Sequence, residues 1–522
     1  MLERLPRPIN AKIDSNMWVD EAIWGHRLYD EQTPWLCFME FLGVVEFKDG
    51  TGQGFIEAIP NSLSYSPKRR LYLRHILFNN PKIIGIASHS TSNPDDQWSE
   101  WVKSMDNPVG IDNPDFSYLR NRFTSFEDFA AVVDLLRSST IEGENNKRWS
   151  SQFIFPFGPD CLYEDLNVGK NAVSNDRRFF ARAGEMLYLM LCRGNVTQAN
   201  ELLDQIRNEI LNPSNKFNRL VASLQPNEKF DADRSKDRVG AYLPYLQLPD
   251  YDELVGDWIS VFRRQLANSD AVSHLVTLLG LHMLLYSMRR SLEVIPGKAQ
   301  TPPTFILEIV APQKTVIRDL SADSYAFNNS LSRSAVEAYI HKAMISAEWQ
   351  EIVRRRDRDR ALEFLREQFA WPRDKNEDDV SSLPTPPSLW RRFEEEALSR
   401  HQQHVNKFHS TWSREIGLSS RRGSRRIRYA PDDAFIKTLV LCVVSDRLEF
   451  GEFLQKLYDK YGFIIGDEQA TDIIKSGRAD QEDFAENAIR LEQRLASLGL
   501  LNRLSDACAY VENPLSTGRD KI

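Results

Sequence analysis

Between Asp432 and Pro514 the apolar positions fall into three helical stripes followed by two short runs. Phe435, Ile436, Leu439, Val440 and Val443 recur at helical spacing behind Pro431, with Asp432 or Asp433 placed to cap. After the polar break Ser445-Asp446-Arg447, residues Phe450, Phe453, Leu454, Leu457 and Tyr461 share one face, and Gly462 stands where that helix can end. A third helix opens at Asp480 with Asp483 three residues on, a carboxylate variant of the capping box. It sets Phe484, Ala488, Leu491, Leu495 and Leu498 in a stripe before Gly499. Leu500, Leu501 and Leu504, then Cys508, Tyr510 and Val511, flank the polar turn Ser505-Asp506 as a hairpin would. Three helices and a hairpin predict a winged-helix module over 432–515.

In such a module the third helix presents side chains to the DNA major groove. Asn487, Arg490 and Arg494, read as lying away from the buried stripe, are the candidates for base edges or phosphates. The same helix carries Glu482, Asp483, Glu486 and Glu492. Phosphate contact needs positive charge, so a winged helix devoted to protein contact is the competing expectation.

Upstream, the pattern is mostly helical. Trp18, Trp24, Trp35, Phe38, Phe41 and Phe47 crowd the first segment, where Pro34 opens a helix that Gly43 is expected to close. His26 beside this cluster reads as a structural histidine. The glycine-rich Asp49–Gly54 lacks the Lys-Ser/Thr ending of a phosphate loop and reads as a turn. Ser125 caps a helix over Phe126–Leu136, and 153–157 is a short buried segment. Helices over 178–192 and 196–211, joined at Arg193-Gly194-Asn195, make an antiparallel pair.

Ala271 to Met288 holds no Asp, Glu, Lys or Arg. It is nearly long enough to span a bilayer, which takes about 20 residues. Its Ser273, His274, Thr277, His282 and Ser287 favour instead a central buried helix whose histidines bond within the core rather than hold a metal. Thr304 to Val310 reads as a buried strand. The run Arg354–Arg360, interleaved with aspartates, reads as a salt-bridged solvent face on a continuous helix. Residues 372–388 are charged and then proline-rich, a linker. Beyond it, a helix over 389–408 carries His401 and His404, too little to define a metal site.

The densest positive cluster follows. Arg414, Arg421, Arg422, Arg425, Arg426 and Arg428 lie in a Gly/Ser-containing stretch with only Glu415 opposing them. A flexible arginine arm here would supply the phosphate charge that the third helix lacks, as minor-groove arms do. Arg421, Arg422, Arg425, Arg426 and Arg428 therefore join Asn487, Arg490 and Arg494 as the candidate DNA-binding set.

Composition narrows the class without naming a reaction. At 522 residues, 42% hydrophobic and 27% charged, the chain is long enough for several domains, and global disorder is excluded. A net charge of -8 argues against a protein coated in nucleic acid while leaving room for a local basic patch. The five cysteines are dispersed and include no CxxC pair, so neither a zinc ribbon nor a disulfide framework is expected and a reducing cytoplasm fits. No secretory signal or membrane span is expected. No catalytic residue, metal site or cofactor is assigned.

The reading is a mainly α, multidomain chain with minor β (α+β). It places an aromatic-rich α+β domain at 1–150, a mainly helical domain at 151–371, the linker at 372–388, a helix plus arginine arm at 389–431, and the winged helix at 432–515. Three passages, Ile23–Leu42, Phe179–Gly194 and Leu491–Pro514, resemble accessory subunits of bacterial anti-phage operons. These are the kind that accompany a methyltransferase and an ATPase, as in the methylation-associated defence system or DNA-phosphorothioation-dependent restriction. The resemblance implies a context and partners, not a chemistry. The expected function is a non-enzymatic DNA-binding or scaffolding subunit. The alternatives are a metal-dependent nuclease subunit of such a system and a winged-helix protein adaptor that makes no DNA contact.

Overall fold

The computed structural model describes residues 4–7, 17–26, 28–50, 52, 63–66, 68–88, 93–105, 108–138, 158–163, 166–168, 173–175, 182–227, 238–239, 242–311, 315–372, 384–422, 425–505 and 508–515. The chain is mainly helical, with five small sheets among the described residues. It folds into two compact units: Met1–Pro34 with Arg193–Gln198 and Tyr242–Ile522, and Trp35–Cys192 with Ala199–Ala241. The divisions thus fall at 34/35, 192/193, 198/199 and 241/242, not at the boundaries 150, 371, 388 and 431 expected above. Residues 373–383 of the expected linker, and the segment 153–157, lie outside the described residues, while Pro386 already begins the helix Pro386–His404.

In the second unit the helix Pro34–Gly50 runs through Gly43 instead of stopping there, because Val44 and Val45 are buried and continue the helix. Its Glu40 side chain turns to the start of the helix Ala183–Arg193 and accepts the Gly184 N–H at 2.9 Å, satisfying one of the donors that every helix leaves unpaired at its first turn. Ser125 caps the helix Phe126–Ser138 as its sequence predicts, accepting the Asp128 N–H at 3.1 Å. Phe129 on that helix lies flat on Trp98 at 5.2 Å and edge-on to Trp101 at 4.9 Å. The core here is aromatic, and geometry of this kind adds to what area burial provides.

In the first unit a 27-residue helix, Asn268–Val294, is surrounded by the helices Pro249–Phe262, Val316–Met344, Phe408–Glu415 and Asp433–Val443. It is the one described helix long and apolar enough to cross a membrane, and most of its apolar stretch is buried inside the protein. Gly280 lets a neighbour press against it: a Cβ there would stand 2.3 Å from the Ile416 side chain. Both histidines bond to side chains within the unit, His274 Nδ1 to Thr438 Oγ1 and His282 Nε2 to Asp257, each at 2.7 Å.

A short extended segment ties the rest of this unit together. Only Phe305–Ile306 of the expected strand pairs as a ladder, parallel to Phe463–Ile464. Its other backbone donors diverge: Leu307 N–H to Ile464, Glu308 N–H to the Tyr429 carbonyl, and Ile309 N–H to the side chain of Asn487. Buried N–H groups must be paired, and with Ile306 N–H on Ser324 Oγ of the Val316–Met344 helix, five consecutive residues here are paired to four different elements. Gly462, just past the helix Phe450–Tyr461, adopts φ +71° as a helix stop should, and a Cβ there would meet the Pro303 carbonyl at 2.2 Å.

The C-terminal region runs helix Asp433–Val443, strand Arg447–Glu449, helix Phe450–Tyr461, the strand Phe463–Ile464 already described, short helix Thr471–Lys475, helix Gln481–Ser497, and strands Leu501–Ser505 and Cys508–Glu512. Apart from Phe463–Ile464, these strands form one antiparallel sheet with Cys508–Glu512 in the centre. Asp432 is the first helix's cap, accepting the Phe435 N–H at 2.8 Å, and the Asp480/Asp483 capping box is formed as expected. The strand Arg447–Glu449 occupies what the pattern presented as a polar break. The Arg354–Arg360 run does not lie on one helix. Arg356 turns at φ +57° between Ala347–Arg355 and Arg358–Phe369, and Arg355 and Arg360 pair with Glu351, Glu348 and Glu363 on the solvent side.

Candidate nucleic-acid interface

The arginine cluster is a closed hairpin, not a flexible arm. Ser419–Ser420 pairs antiparallel with Arg428–Tyr429, and the ladder is prolonged by Ala430 N–H to Leu418 and Asp432 N–H to Gly417. Arg428 points inward and is fully buried, so it is removed from the DNA-binding set. Its guanidinium meets one oxygen of buried Glu308, and its Nη2 donates to the Arg422 carbonyl at 2.8 Å. The other oxygen of Glu308 takes Arg318 Nε at 2.7 Å. A carboxylate between two guanidiniums balances charge that would otherwise be costly to bury, and here it fastens the base of the hairpin to the Val316–Met344 helix.

With Arg428 as the anchor, Arg421, Arg422, Arg425 and Arg426 stand exposed on the loop. Arg426 pairs with Asp323 of the Val316–Met344 helix at 2.5 Å, and both side chains are about half exposed. Arg421, Arg422 and Arg425 make no ion pair among the described residues.

The expected reading helix fares differently. Asn487 is fully buried: its amide donates to the Leu307 and Ile465 carbonyls at 2.9 Å each and accepts the Ile309 N–H at 2.8 Å. No capacity is left for a base edge, so Asn487 leaves the set. The signal was present, since position 487 is three residues after Phe484 and four before Leu491, which places it on their face. Arg494 donates to Asp433 at 2.7 Å and to the Pro431 carbonyl at 2.9 Å, while Arg490 pairs with Glu486. Both are three-quarters covered. The exposed positions of this helix include Glu482, Glu486, Ile489 and Gln493, a face without free positive charge.

A second constellation escaped the sequence reading. Asp257 is fully buried and accepts from His282 Nε2 at 2.7 Å, Tyr461 hydroxyl at 2.8 Å, Cys442 thiol at 2.7 Å and Lys460 Nζ. Burial opposes its ionisation, but His282, Lys460 and the Cys442 hydrogen bond outweigh that and hold the carboxyl at about 2. Burial, reinforced by the adjacent carboxylate, pushes the Cys442 thiol well up, so it stays protonated and is no nucleophile. The cleft above, about 350 Å³ and lined by Cys442, Val443, Lys456, Asp459 and Lys460, opens on a polar knot that joins four helices. Among the described residues no three His, Cys, Asp or Glu side chains are placed to hold a metal. His401 bonds Ser332 Oγ at 3.0 Å, and His404 packs on Tyr29.

Beneath the hairpin, burial drives His409 down to about 3, so its ring is neutral and Nε2 accepts the Tyr429 hydroxyl at 2.6 Å. The unfolded value is near 6.5. Between these values only the unfolded chain takes up the proton, so stability is present above about pH 6.5 and is lost as pH falls toward 3, by about 1.4 kcal/mol per pH unit. Urea midpoints measured from pH 7 to 4.5 are expected to fall, and less steeply in His409→Gln. Equal slopes in the two proteins would count against a neutral buried His409.

No family model, curated protein or solved structure matches the chain.

Proposed function

We propose that this chain is a non-catalytic binding subunit whose hairpin grips the phosphate backbone of nucleic acid, and whose C-terminal region is a winged helix turned to protein contact. The observation that carries the first part is a loop held at its base by a strand ladder, with three exposed arginines that make no ion pair among the described residues. Such charges gain most from a polyanion, because each phosphate contact releases condensed counterions. With Asn487 buried and Arg490 and Arg494 engaged, the chain grips without reading base edges, so contact is insensitive to sequence.

What supports the winged helix is three long helices with a strand between the first two and a closing hairpin after the third, the last strand being central in the sheet; the short strand Phe463–Ile464 and the short helix Thr471–Lys475 are additions between the second and third long helices. Exposed Ile489 and Leu504, on the third long helix and the hairpin, favour a protein partner for this region. The context is that of the resemblance: an accessory subunit of a bacterial anti-phage operon, beside an ATPase and a methyltransferase.

Fluorescence anisotropy of a labelled oligonucleotide across a salt series tests the hairpin. Replacing Arg421, Arg422 and Arg425 together by Ala is expected to reduce the slope of log K against log salt by about 2.7 on duplex or about 2.1 on single strand. The effect should be the same for unrelated sequences, and an unchanged slope removes the hairpin as the grip.

A further inference from the structure

The Val316–Met344 helix lies along the hairpin and offers it more than a counter-ion. Ser321 Oγ accepts the Tyr429 N–H and donates back to its carbonyl, and Asn328 Nδ2 donates to the Tyr429 hydroxyl at 3.0 Å, so residues 321–328 run beside the second hairpin strand. On the adjoining solvent face stand Asp323, Ala326, Phe327 and Ser330. Asp323 holds Arg426. Arg421 is close enough to Tyr325, on the same turns, to temper the rise that burial imposes on that phenol.

Phe327 sits one helical turn from Asp323, a rise of about 6 Å. It is 50% exposed, the only aromatic among the exposed large apolar side chains of the described residues. Its ring makes no contact with another aromatic ring there. Leaving a phenylalanine in water forgoes the burial that most of this chain's aromatics obtain. Its place, one turn along the helix from the Asp323 that holds exposed Arg426, offers the combination by which proteins hold single strands: cations that track the backbone and a flat apolar face on which a base stacks. A base paired inside a duplex has no free face to offer.

We propose, resting on the hairpin reading above, that the ligand is single-stranded nucleic acid, with Phe327 as the stacking platform and Arg421, Arg422, Arg425 and Arg426 on the adjacent phosphates. The exposed Arg426–Asp323 pair opens on binding at little cost, since such pairs contribute little. Stacking is tolerant of base identity, in keeping with the burial of Asn487 and the engagement of Arg490 and Arg494.

The test measures binding of the full chain to oligo-dT, oligo-U and a duplex of equal length, for wild type, Phe327→Ala, Phe327→Trp and the triple arginine variant. Phe327→Ala is expected to weaken single-strand binding about 5- to 150-fold. It should leave the salt slope and duplex binding unchanged, and Phe327→Trp should restore affinity. The comparison of oligo-dT with oligo-U separates DNA from RNA as the source of the strand.

If the arginine variant loses affinity while Phe327→Ala binds single strands as wild type does, or weakens single strand and duplex alike, the stacking proposal is overturned and the phosphate grip stands. Should neither variant lose affinity, both fail. Displacement of the oligonucleotide by a polyglutamate peptide whose own binding depends on Phe327 would assign the face to an acidic protein and also overturn the proposal. Unfolding midpoints for the Phe327 variants equal to wild type exclude misfolding as the cause.

Discussion

Glu308→Ala is expected to destabilise the hairpin region by about 3–5 kcal/mol, the usual result of removing one partner of a buried ion pair. The loss is large because two cations are left behind: Arg428 has no solvent access and Arg318 has little, and both direct Nε at the Glu308 carboxylate. Chains of this size need not unfold in one step, so the readout is local: hydrogen exchange over 417–432 and trypsin cleavage at Arg421–Arg426, each expected to accelerate strongly. Replacing Glu308, Arg318 and Arg428 together by apolar residues of similar volume should recover much of the loss, since a whole buried triad is often neutral to replace. Protection unchanged in Glu308→Ala would show that the ladder alone holds the hairpin.

Asp257→Asn is the second large effect, again about 3–5 kcal/mol. The wild-type carboxylate serves four donors from three other helices, Asn268–Val294, Asp433–Val443 and Phe450–Tyr461. An amide removes the negative charge that Lys460 pairs with, keeps only one acceptor oxygen, and turns an NH2 toward two of those donors, which must reverse their roles or lose the bond. The effect is tied to pH. The folded carboxyl lies at about 2, below its unfolded value near 3.9. Its contribution is therefore present above pH 4 and is lost as pH falls through 2, a change of about 2.6 kcal/mol in wild type that Asp257→Asn should lack. Denaturant midpoints between pH 5 and 2.5 measure this, and parallel curves for the two proteins would remove Asp257 as the centre of the knot.

These two sites share a feature that local pattern could have flagged. Glu308 is the lone charge in Thr304–Ala311, and Asp257 is the lone charge in Leu254–Phe262. A charge inside an apolar element needs a buried partner, which marks both residues as paired. The identity of the partners was not legible, because Arg428 lies 120 residues from Glu308 and Lys460 lies 203 from Asp257. The helix Pro34–Gly50 makes the same point on a smaller scale: Gly43 signals a stop that burial of Val44 and Val45 overrides.

Amino-acid order alone settled the mainly helical class, the caps at Ser125 and Asp480, and the stop at Gly462, and it narrowed a third cap to Asp432 or Asp433. It also settled the burial of the uncharged stretch Ala271–Met288. Each of these depends on spacing within a turn or two, where side chains meet regardless of the rest of the chain. Which arginines meet water was decided by the tertiary structure. Arg428 went inside because Glu308 was there to receive it, Asn487 became a bond between three segments, and Arg421, Arg422 and Arg425 were left outside because their hairpin is fastened at its base. Exposure of a charge is a property of what packs over it, and residues far along the chain supply that cover.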